Sequence, residues 1–565
     1  MADLPIATVT IDDEAGAFAG NTGYIAVLAC VKTNADITPR VFASPKSLIS
    51  EHGYGQGVSY AASHIDETLK PVIFVGLPQT TVGYVASDDP TGVTGSSAVT
   101  VAAASGGVLD EADAIMTVTT GGTIGTNGIV LSISHDGGRT SKVVRLGTAN
   151  SYTDPYIGVV YSFGSGMLVA GDVFTFRAHP PMWAQADLQS ARQALAAQLL
   201  PVRSFMVIGD LPNSTFAGYV TTEANAYETS NERFVYARAS VKDRWLAKKS
   251  KISTQTITFA ATGKTFTRSA GSWLKDGFAV GQTVIVAGTI SNNGTFTVTT
   301  LTDTVMTVTE TVVDEGPTSS STISVTQSQT MAAYVSASDA AFATVDSQRR
   351  IDMSIGRGRK VDPISGWDFR RPAAWAASIR EYQHDVQIPC WRKSDGPCDG
   401  WDLTDTNGNL AEFDERVDGG ALAARFTCFR TWANGPRGAF IALSLTRATE
   451  ASLLSRTHNM AVADVACTVT QLETENAIGQ VLVLNSSGKA TPASLSLIEE
   501  RVNSALQIAL LQDKGEGQRA SIAVWQADKN AVLNVPGATL NGTLHLELNG
   551  TLEKIATKVK VQTAG

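Results

Sequence analysis

Gly263-Lys264-Thr265 ends like a phosphate-binding loop, in which glycine amides cradle phosphate oxygens and a lysine neutralises them. That motif needs a glycine five positions before Gly263, where this chain has Thr258, and the tripeptide lies between two strand-like runs. It reads as a hairpin turn. Gly53, Gly55 and Gly57 do not complete a dinucleotide fingerprint, because no apolar strand runs into them. Asp405, Asn407, Gly408 and Asp414 match the third, fifth, sixth and twelfth positions of a calcium loop, but its first ligand position is Leu403, which cannot coordinate. A polar turn is the expectation there. Cys390 and Cys398 are too far apart for a zinc knuckle, the seven histidines are scattered, and no nucleophile-elbow motif occurs. No catalytic, cofactor-binding or metal residues are therefore expected, and an enzyme with β accessory domains has no side-chain constellation behind it.

The conspicuous charge feature is the basic run Arg349, Arg350, Arg357, Arg359 and Lys360, followed by Arg370 and Arg371. It reads either as a solvated face or as a patch pairing with an acidic neighbour, since the chain as a whole carries a formal charge of −9. That negative balance disfavours a protein built to grip nucleic acid. The five cysteines (Cys30, Cys390, Cys398, Cys428, Cys467) are odd in number and irregularly spaced, as expected of reduced thiols, although Cys390 and Cys398 could form a loop disulfide or link subunits. The start, Met-Ala-Asp-Leu-Pro, lacks the basic and apolar regions of a signal peptide, and no apolar run approaches a membrane span, so membrane insertion is not expected.

At 565 residues the chain is long enough for on the order of three to five domains. Residues 1–15 read as an arm with a short alternating strand at Thr8, Val9, Thr10 and Ile11. Tyr24 to Val31 and Pro71 to Leu77 are apolar strands around a helical pattern from Ser44 to Leu69, which gives residues 16–79 an α/β character. Residues 80–178 then turn to short β-rich segments with turn signals at Asn127-Gly128 and Asp136-Gly137-Gly138. The helical period returns in 179–250, where Leu188, Ala191, Arg192, Leu195 and Leu199 share a face; the strand Ser204 to Ile208, the helix Ser214 to Ser230 and the strand Arg233 to Ala237 follow. A second, threonine-rich β module occupies 251–328, and a helical pattern resumes from Ala332 to Arg350 within the continued α/β segment 329–390. Both modules read as insertions into loops of one α/β core.

Residues 391–565 read as a C-terminal α+β domain. Thr491-Pro492 is a cap and first position for a helix whose Ile498, Val502, Ala505, Leu506 and Leu510 form one stripe. Strands follow at Ser521 to Trp525 and at Thr543 to Leu548, with Leu544, Leu546 and Leu548 on one side. A terminal strand, Lys558 to Val561, turns Val559 and Val561 one way and its lysines the other.

The segment Ser365-Gly-Trp-Asp-Phe-Arg-Arg-Pro372-Ala-Ala-Trp375-Ala-Ala-Ser-Ile-Arg380 resembles the core of tail sheath proteins of contractile-tailed, myovirus-like bacteriophages, where a Pro-Ala-Ala-Trp-like stretch starts a helix after the α/β layer. Ala43 to Gly55 resembles the sheath segment in which a helix ends in an aromatic-glycine turn before an extended strand. The order of the C-terminal elements resembles the sheath's interlocking domain. The resemblance implies a fold of α+β multidomain type: an α/β sheath core, a C-terminal α+β interlocking domain and two outward-facing all-β inserts of sandwich or barrel kind. It implies a homo-oligomer of six-fold rings stacked helically around a tail tube protein, with baseplate and tail terminator proteins as further partners, and makes Arg349, Arg350, Arg357, Arg359 and Lys360 a tube- or neighbour-facing patch. The place would be the virion tail, after assembly in the host bacterial cytoplasm. Contraction from a metastable extended lattice would need no hydrolysis and no cofactor. Thr8 to Ile11 and Lys558 to Val561 would be donated to neighbours, with Thr543 to Leu548 in the accepting sheet. An adhesin or tail-fibre protein with carbohydrate-binding β modules remains the alternative; it would need aromatic sugar platforms, and Trp273 is the only tryptophan in either module.

Overall fold

The strand Tyr24–Cys30 is apolar almost throughout because both of its faces are covered. Ile25, Val27 and Ala29 enter one core with Val58, Ala61 and Trp375, whereas Ala26 and Leu28 enter another with Leu188, Val220 and Ala237. The same two-residue alternation divides Val72 and Phe74 from Ile73 and Val75, and Met206 and Ile208 from Phe205 and Val207. A parallel sheet with helices on both faces demands such strands. Each large aliphatic side chain fully buried here contributes about 1.5–3 kcal/mol of transfer free energy. The computed structural model describes residues 23–31, 35–87, 93–198, 200–247, 256–325, 327–405, 407–513, 517–533 and 539–550.

The central sheet runs in the order Arg40–Phe42, Val72–Leu77, Tyr24–Cys30, Val202–Leu211, Tyr236–Val241, Gln348–Ser354, Thr446–Arg447. Its five inner strands are mutually parallel and its two outer ones antiparallel to their neighbours. Helices Gln56–Thr68 and Ala373–Gln383 cover one face; Gln185–Ala197, Ser214–Thr229 and Met331–Phe342 cover the other.

Three local readings need correction. The pattern from Ser44 to Leu69 is two helices, Pro45–His52 and Gln56–Thr68, separated where Gly53 adopts φ 73°. The Tyr54-Gly55 turn therefore leads into a second helix instead of an extended strand. The strand expected at Arg233 lies at Tyr236–Val241, because the chain first wraps around the end of the preceding helix, with the Arg233 N–H donating to the Tyr227 carbonyl at 3.0 Å. The helix from Met331 stops at Phe342, and after a short 3-10 turn Ser347 takes φ 81° and starts the strand Gln348–Ser354. Arg349 and Arg350 thus belong to the sheet.

The β-rich segments leave and rejoin the α/β layer at paired positions. At the first neck Thr81 and Met182 exchange main-chain hydrogen bonds of 2.8 and 2.9 Å. At the second, the Gln329 N–H donates to the Trp245 carbonyl at 2.9 Å and the Ala247 N–H to Ser328 Oγ at 2.8 Å. Adjacent ends are what allow a host fold to accept an insertion. The first segment builds a five-stranded sheet, in the order Tyr84–Ser87, Val173–His179, Ala112–Thr120, Val130–Ser134, Lys142–Arg145, and a three-stranded one around Val159–Phe163. Its core takes in Trp367 and Phe369 from the host. The second builds a seven-stranded sheet around Phe259, Phe266, Trp273 and Val284.

Thr446–Arg447 belongs to the central sheet, so the residues before helix Thr457–Glu475 share the α/β core. A separate core then forms between helices Thr457–Glu475 and Pro492–Leu506 and the antiparallel pair Ala520–Ala527 and Gly542–Leu548. Thr491 caps the second helix, its hydroxyl accepting from the Ser494 N–H, and Pro492 occupies the first turn. Ile498, Val502, Leu506 and Leu510 point inward, and Ala505 lies at the margin.

Candidate functional site

The C-terminal ribbon is asymmetric. On its inner face Ala523, Trp525, Ala527 and Leu544 are buried and Leu546 and Leu548 half-buried against the two helices. A bulge between Ala520 and Ile522 sets this phase. The free edge of Ala520–Ala527 is closed by the helix beneath it. Asn503 Nδ2 donates to the Trp525 carbonyl at 3.0 Å, and its Oδ1 accepts from the Trp525 N–H at 2.7 Å. Glu499 Oε1 accepts from the Ala527 N–H at 2.9 Å, and the Leu510 carbonyl from the Arg519 N–H at 2.8 Å. Trp525 lies opposite Leu544, and directly opposed residues of an antiparallel pair either both bond across the ladder or both face away from it. The main-chain groups of Leu544, and of Leu546 two residues on, therefore face outward on the other edge. Among the described residues they have no hydrogen-bond partner. Among the described residues, one edge is capped at Trp525 and Ala527 and the other is open.

Leu544, Leu546 and Leu548 lie together on this ribbon as expected. Thr8, Val9, Thr10, Ile11, Val559 and Val561 lie outside the described residues, as does Leu199. Asn503 and Glu499 were not singled out in the sequence; polar residues beside an apolar helical stripe are ordinarily solvated, and nothing in their type marks them as edge caps.

The basic run does not make one surface patch, and for Arg350 and Arg357 the expectation of a tube- or neighbour-facing role is corrected. Both are fully buried and paired within the chain. Arg350 Nε donates to Glu228 at 2.8 Å and its Nη1 to Asp464, tying the C-terminal helix Thr457–Glu475 to the sheet, while Arg349 reaches Glu228 at 3.2 Å. Arg357 bonds Asp210 and lies 3.4 Å from Glu111. Lys360 pairs with Glu67 at 2.8 Å, and Arg359 donates to the Asp136 carbonyl at 3.3 Å. Arg371 makes a two-pronged bond to Asp110 at 2.5 and 2.7 Å, and Arg370 one to Glu412 at 2.6 and 2.8 Å. A buried guanidinium must find a carboxylate, and these carboxylates come from far along the chain.

A second buried network joins the strands. Arg238 bonds Asp352 at 2.7 Å, Glu381 at 2.9 Å and Ser444 at 2.9 Å, and Arg203 meets Glu381 at 3.0 Å. Burial opposes ionisation of Glu381, but the guanidinium groups of Arg238 and Arg203 outweigh it and hold the carboxyl below its usual range. At Asp464 burial wins against Arg350, and the carboxyl is pushed up to about 6.

The rejected motifs have structural roles. Gly263 and Lys264, at φ 81° and 52°, turn the hairpin between Ile257–Ala260 and Thr265–Arg268. Asp405 accepts from the amides of Asn407 and Asn409, while Asp414 is buried and accepts from the Thr431 amide and hydroxyl, so both carboxylates serve local turns. Among the described residues no group of His, Cys, Asp and Glu side chains is placed to hold a metal ion, and no helix is long and apolar enough to cross a membrane. Burial pushes the thiols of Cys390 and Cys398 up to about 12 and about 11, which makes them poor nucleophiles. Trp273 is buried, its Nε1–H donating to the Thr304 carbonyl at 3.1 Å.

Among solved structures, those to which the chain is similar include sheath tail proteins. The sheath tail protein Lin1278 from Listeria innocua is 10% identical, with 94% of this chain and 96% of that one covered at a TM-score of 0.37. The sheath tail protein DSY3957 from Desulfitobacterium hafniense is 11% identical, with 95% and 100% covered, also at a TM-score of 0.37. No protein-family model matches the chain, and no curated protein matches it.

Proposed function

We propose that this chain is a structural subunit of a contractile phage tail sheath. Copies polymerise as stacked six-fold rings around a tail tube and contract from a metastable extended state to drive the tube through the host envelope. The observation that carries the reading is the C-terminal ribbon, closed along Ala520–Ala527 and open along Gly542–Leu548. A two-stranded sheet is marginal in water, and an open edge invites pairing. A third strand from a neighbouring copy, bonded to the main chain of Leu544 and Leu546, satisfies both needs. Lys558 to Val561 has the right chemistry for it, with Val559 and Val561 available to extend the inner face and the lysines left to solvent. Thr8 to Ile11 is the second donor in this scheme. The order of motifs through Pro372, Trp375 and the Thr491-Pro492 helix supports the same assignment. The remaining partners are the tube, baseplate and terminator proteins of the virion.

Electron microscopy of the concentrated protein tests this. Long tubes are expected from the full chain, and dispersed particles from a chain lacking residues 556–565. A full chain that stays dispersed sinks the sheath reading, and a truncated chain that still makes long tubes sinks the donor assignment. The carbohydrate-binding alternative has no support from Trp273, which is spent in the core of its own module.

A further inference from the structure

The carboxyl ends of the parallel strands meet the first β-rich segment in a cluster of charges. Asp210 ends Val202–Leu211, Lys242 and Asp243 follow Tyr236–Val241, and Arg357 follows Gln348–Ser354. Arg370 comes from the strand Asp368–Pro372 and Glu412 from a following loop, and Glu111, Asp113 and Arg177 come from the β-rich segment. Arg177 lies 3.1 Å from Glu111, 3.3 Å from Asp113 and 3.6 Å from Asp243; Arg370 lies 2.6 Å from Asp243 and 2.6 Å from Glu412. Arg357 bridges Asp210 of the sheet to Glu111 of the insert. Tyr84 and Tyr334 border the cluster, and His135 and Asp136 line the small cavity beside Glu111, Asp113 and Arg370. Five carboxylates thus meet three guanidinium groups, with the exposed Lys242 beside them, in a joint where Glu111, Asp243, Glu412 and Arg357 are shielded from water and Asp113, Arg177 and Asp210 are partly exposed.

We propose that this joint is a proton-operated latch: uptake of one proton by its excess carboxylate draws the β-rich insert and the α/β layer together, and its loss loosens them. Asp210 is the group placed to take the proton, since its one guanidinium partner, Arg357, is shared with Glu111, whereas Asp243 has both Arg177 and Arg370 and Asp113 is the more exposed at 34%. Burial raises its pKa and the like charges of Glu111 and Asp243 add to this, against Arg357, so that the carboxyl is pushed up to about 6. The folded value lies above the ordinary carboxylate value, so the joint is weakest above pH 6 and gains as the pH falls through it. With an ordinary value in the opened joint, linkage makes the opening equilibrium about tenfold smaller at pH 5 than at pH 8.

Hydrogen-exchange protection factors, corrected for intrinsic rates, test this on the full chain in peptides spanning Ala112–Thr120, Val173–His179 and Arg357–Val361. About tenfold greater protection is expected at pH 5 than at pH 8. In Asp210→Asn the high protection should persist at both pH values, in Glu111→Gln the pH response should shrink, and in His135→Gln it should remain. Equal protection at both pH values in the unaltered chain overturns the proposal, and so does an undiminished response in Asp210→Asn or Glu111→Gln. Loss of the response in His135→Gln would assign it to the histidine instead and overturn it as well. Should Asp210→Asn fail to fold, Glu111→Gln decides.

Discussion

Arg350 has no exposed surface and two carboxylate partners, Glu228 and Asp464, drawn from different parts of the chain. The pair energy of such a group is offset by its desolvation, so its worth lies in what its removal leaves behind. Arg350→Leu strands Asp464 in the interior and leaves Glu228 with Arg349 alone, and should destabilise the chain by about 3–5 kcal/mol, read as a lowered denaturant midpoint for the transition reporting on helix Thr457–Glu475. An exposed position such as Lys46 should tolerate the equivalent change with almost no shift. The contrast is a measure of how far the basic run has been taken inside.

At the scale of elements, the ribbon shows how one edge of a sheet is made selective. Asn503 replaces a neighbouring strand for Trp525, giving its amide an acceptor and its carbonyl a donor from a single side chain. Asn503→Ala removes both, and an unsatisfied buried amide and carbonyl should cost about 1–3 kcal/mol. It also exposes a second pairing edge, so light scattering of the dilute variant should rise with time where the parent's does not. Asn503→Asp keeps the acceptor for the Trp525 N–H but loses the donor, and should fall between the two. A role limited to filling space would make the two substitutions alike.

Over the whole molecule the two β-rich segments are attached differently. The first is bound to the host by Asp110 to Arg371 and Tyr54, by Glu111 to Arg357, and by Trp367 and Phe369 in its core. Around the second, the neck bonds at Trp245 and Ala247 are joined by the approach of Lys275 to the Tyr84 ring, at 5.6 Å. Replacing residues 248–327 by a short glycine-serine linker should leave a folded chain that elutes normally on size exclusion. Replacing residues 82–181 should give insoluble protein, because Arg371 is then buried without its carboxylate.

Local chemistry was legible in the sequence. The alternation of Tyr24–Cys30, the Thr491-Pro492 cap and the turn at Gly263-Lys264 all follow from side-chain periodicity and backbone preference, which act within a few residues, whereas the Pro372 start of the Ala373–Gln383 helix was expected only from the resemblance. The break at Gly53 is a local helix stop at a glycine of positive φ that the continuous helical pattern hid, and the strand start at Gln348 depends on pairing with Thr446–Arg447 and Tyr236–Val241. The fate of the basic run was not legible at all: Arg350 and Asp464 are separated by 114 residues and Arg371 and Asp110 by 261. Sequence alone established that arginines were present and that the C-terminal leucines shared a face. Tertiary structure decided that the arginines are internal ties and that, among the described residues, the ribbon has one open edge, because charge compensation and edge coverage depend on distances in space that the order of residues does not contain.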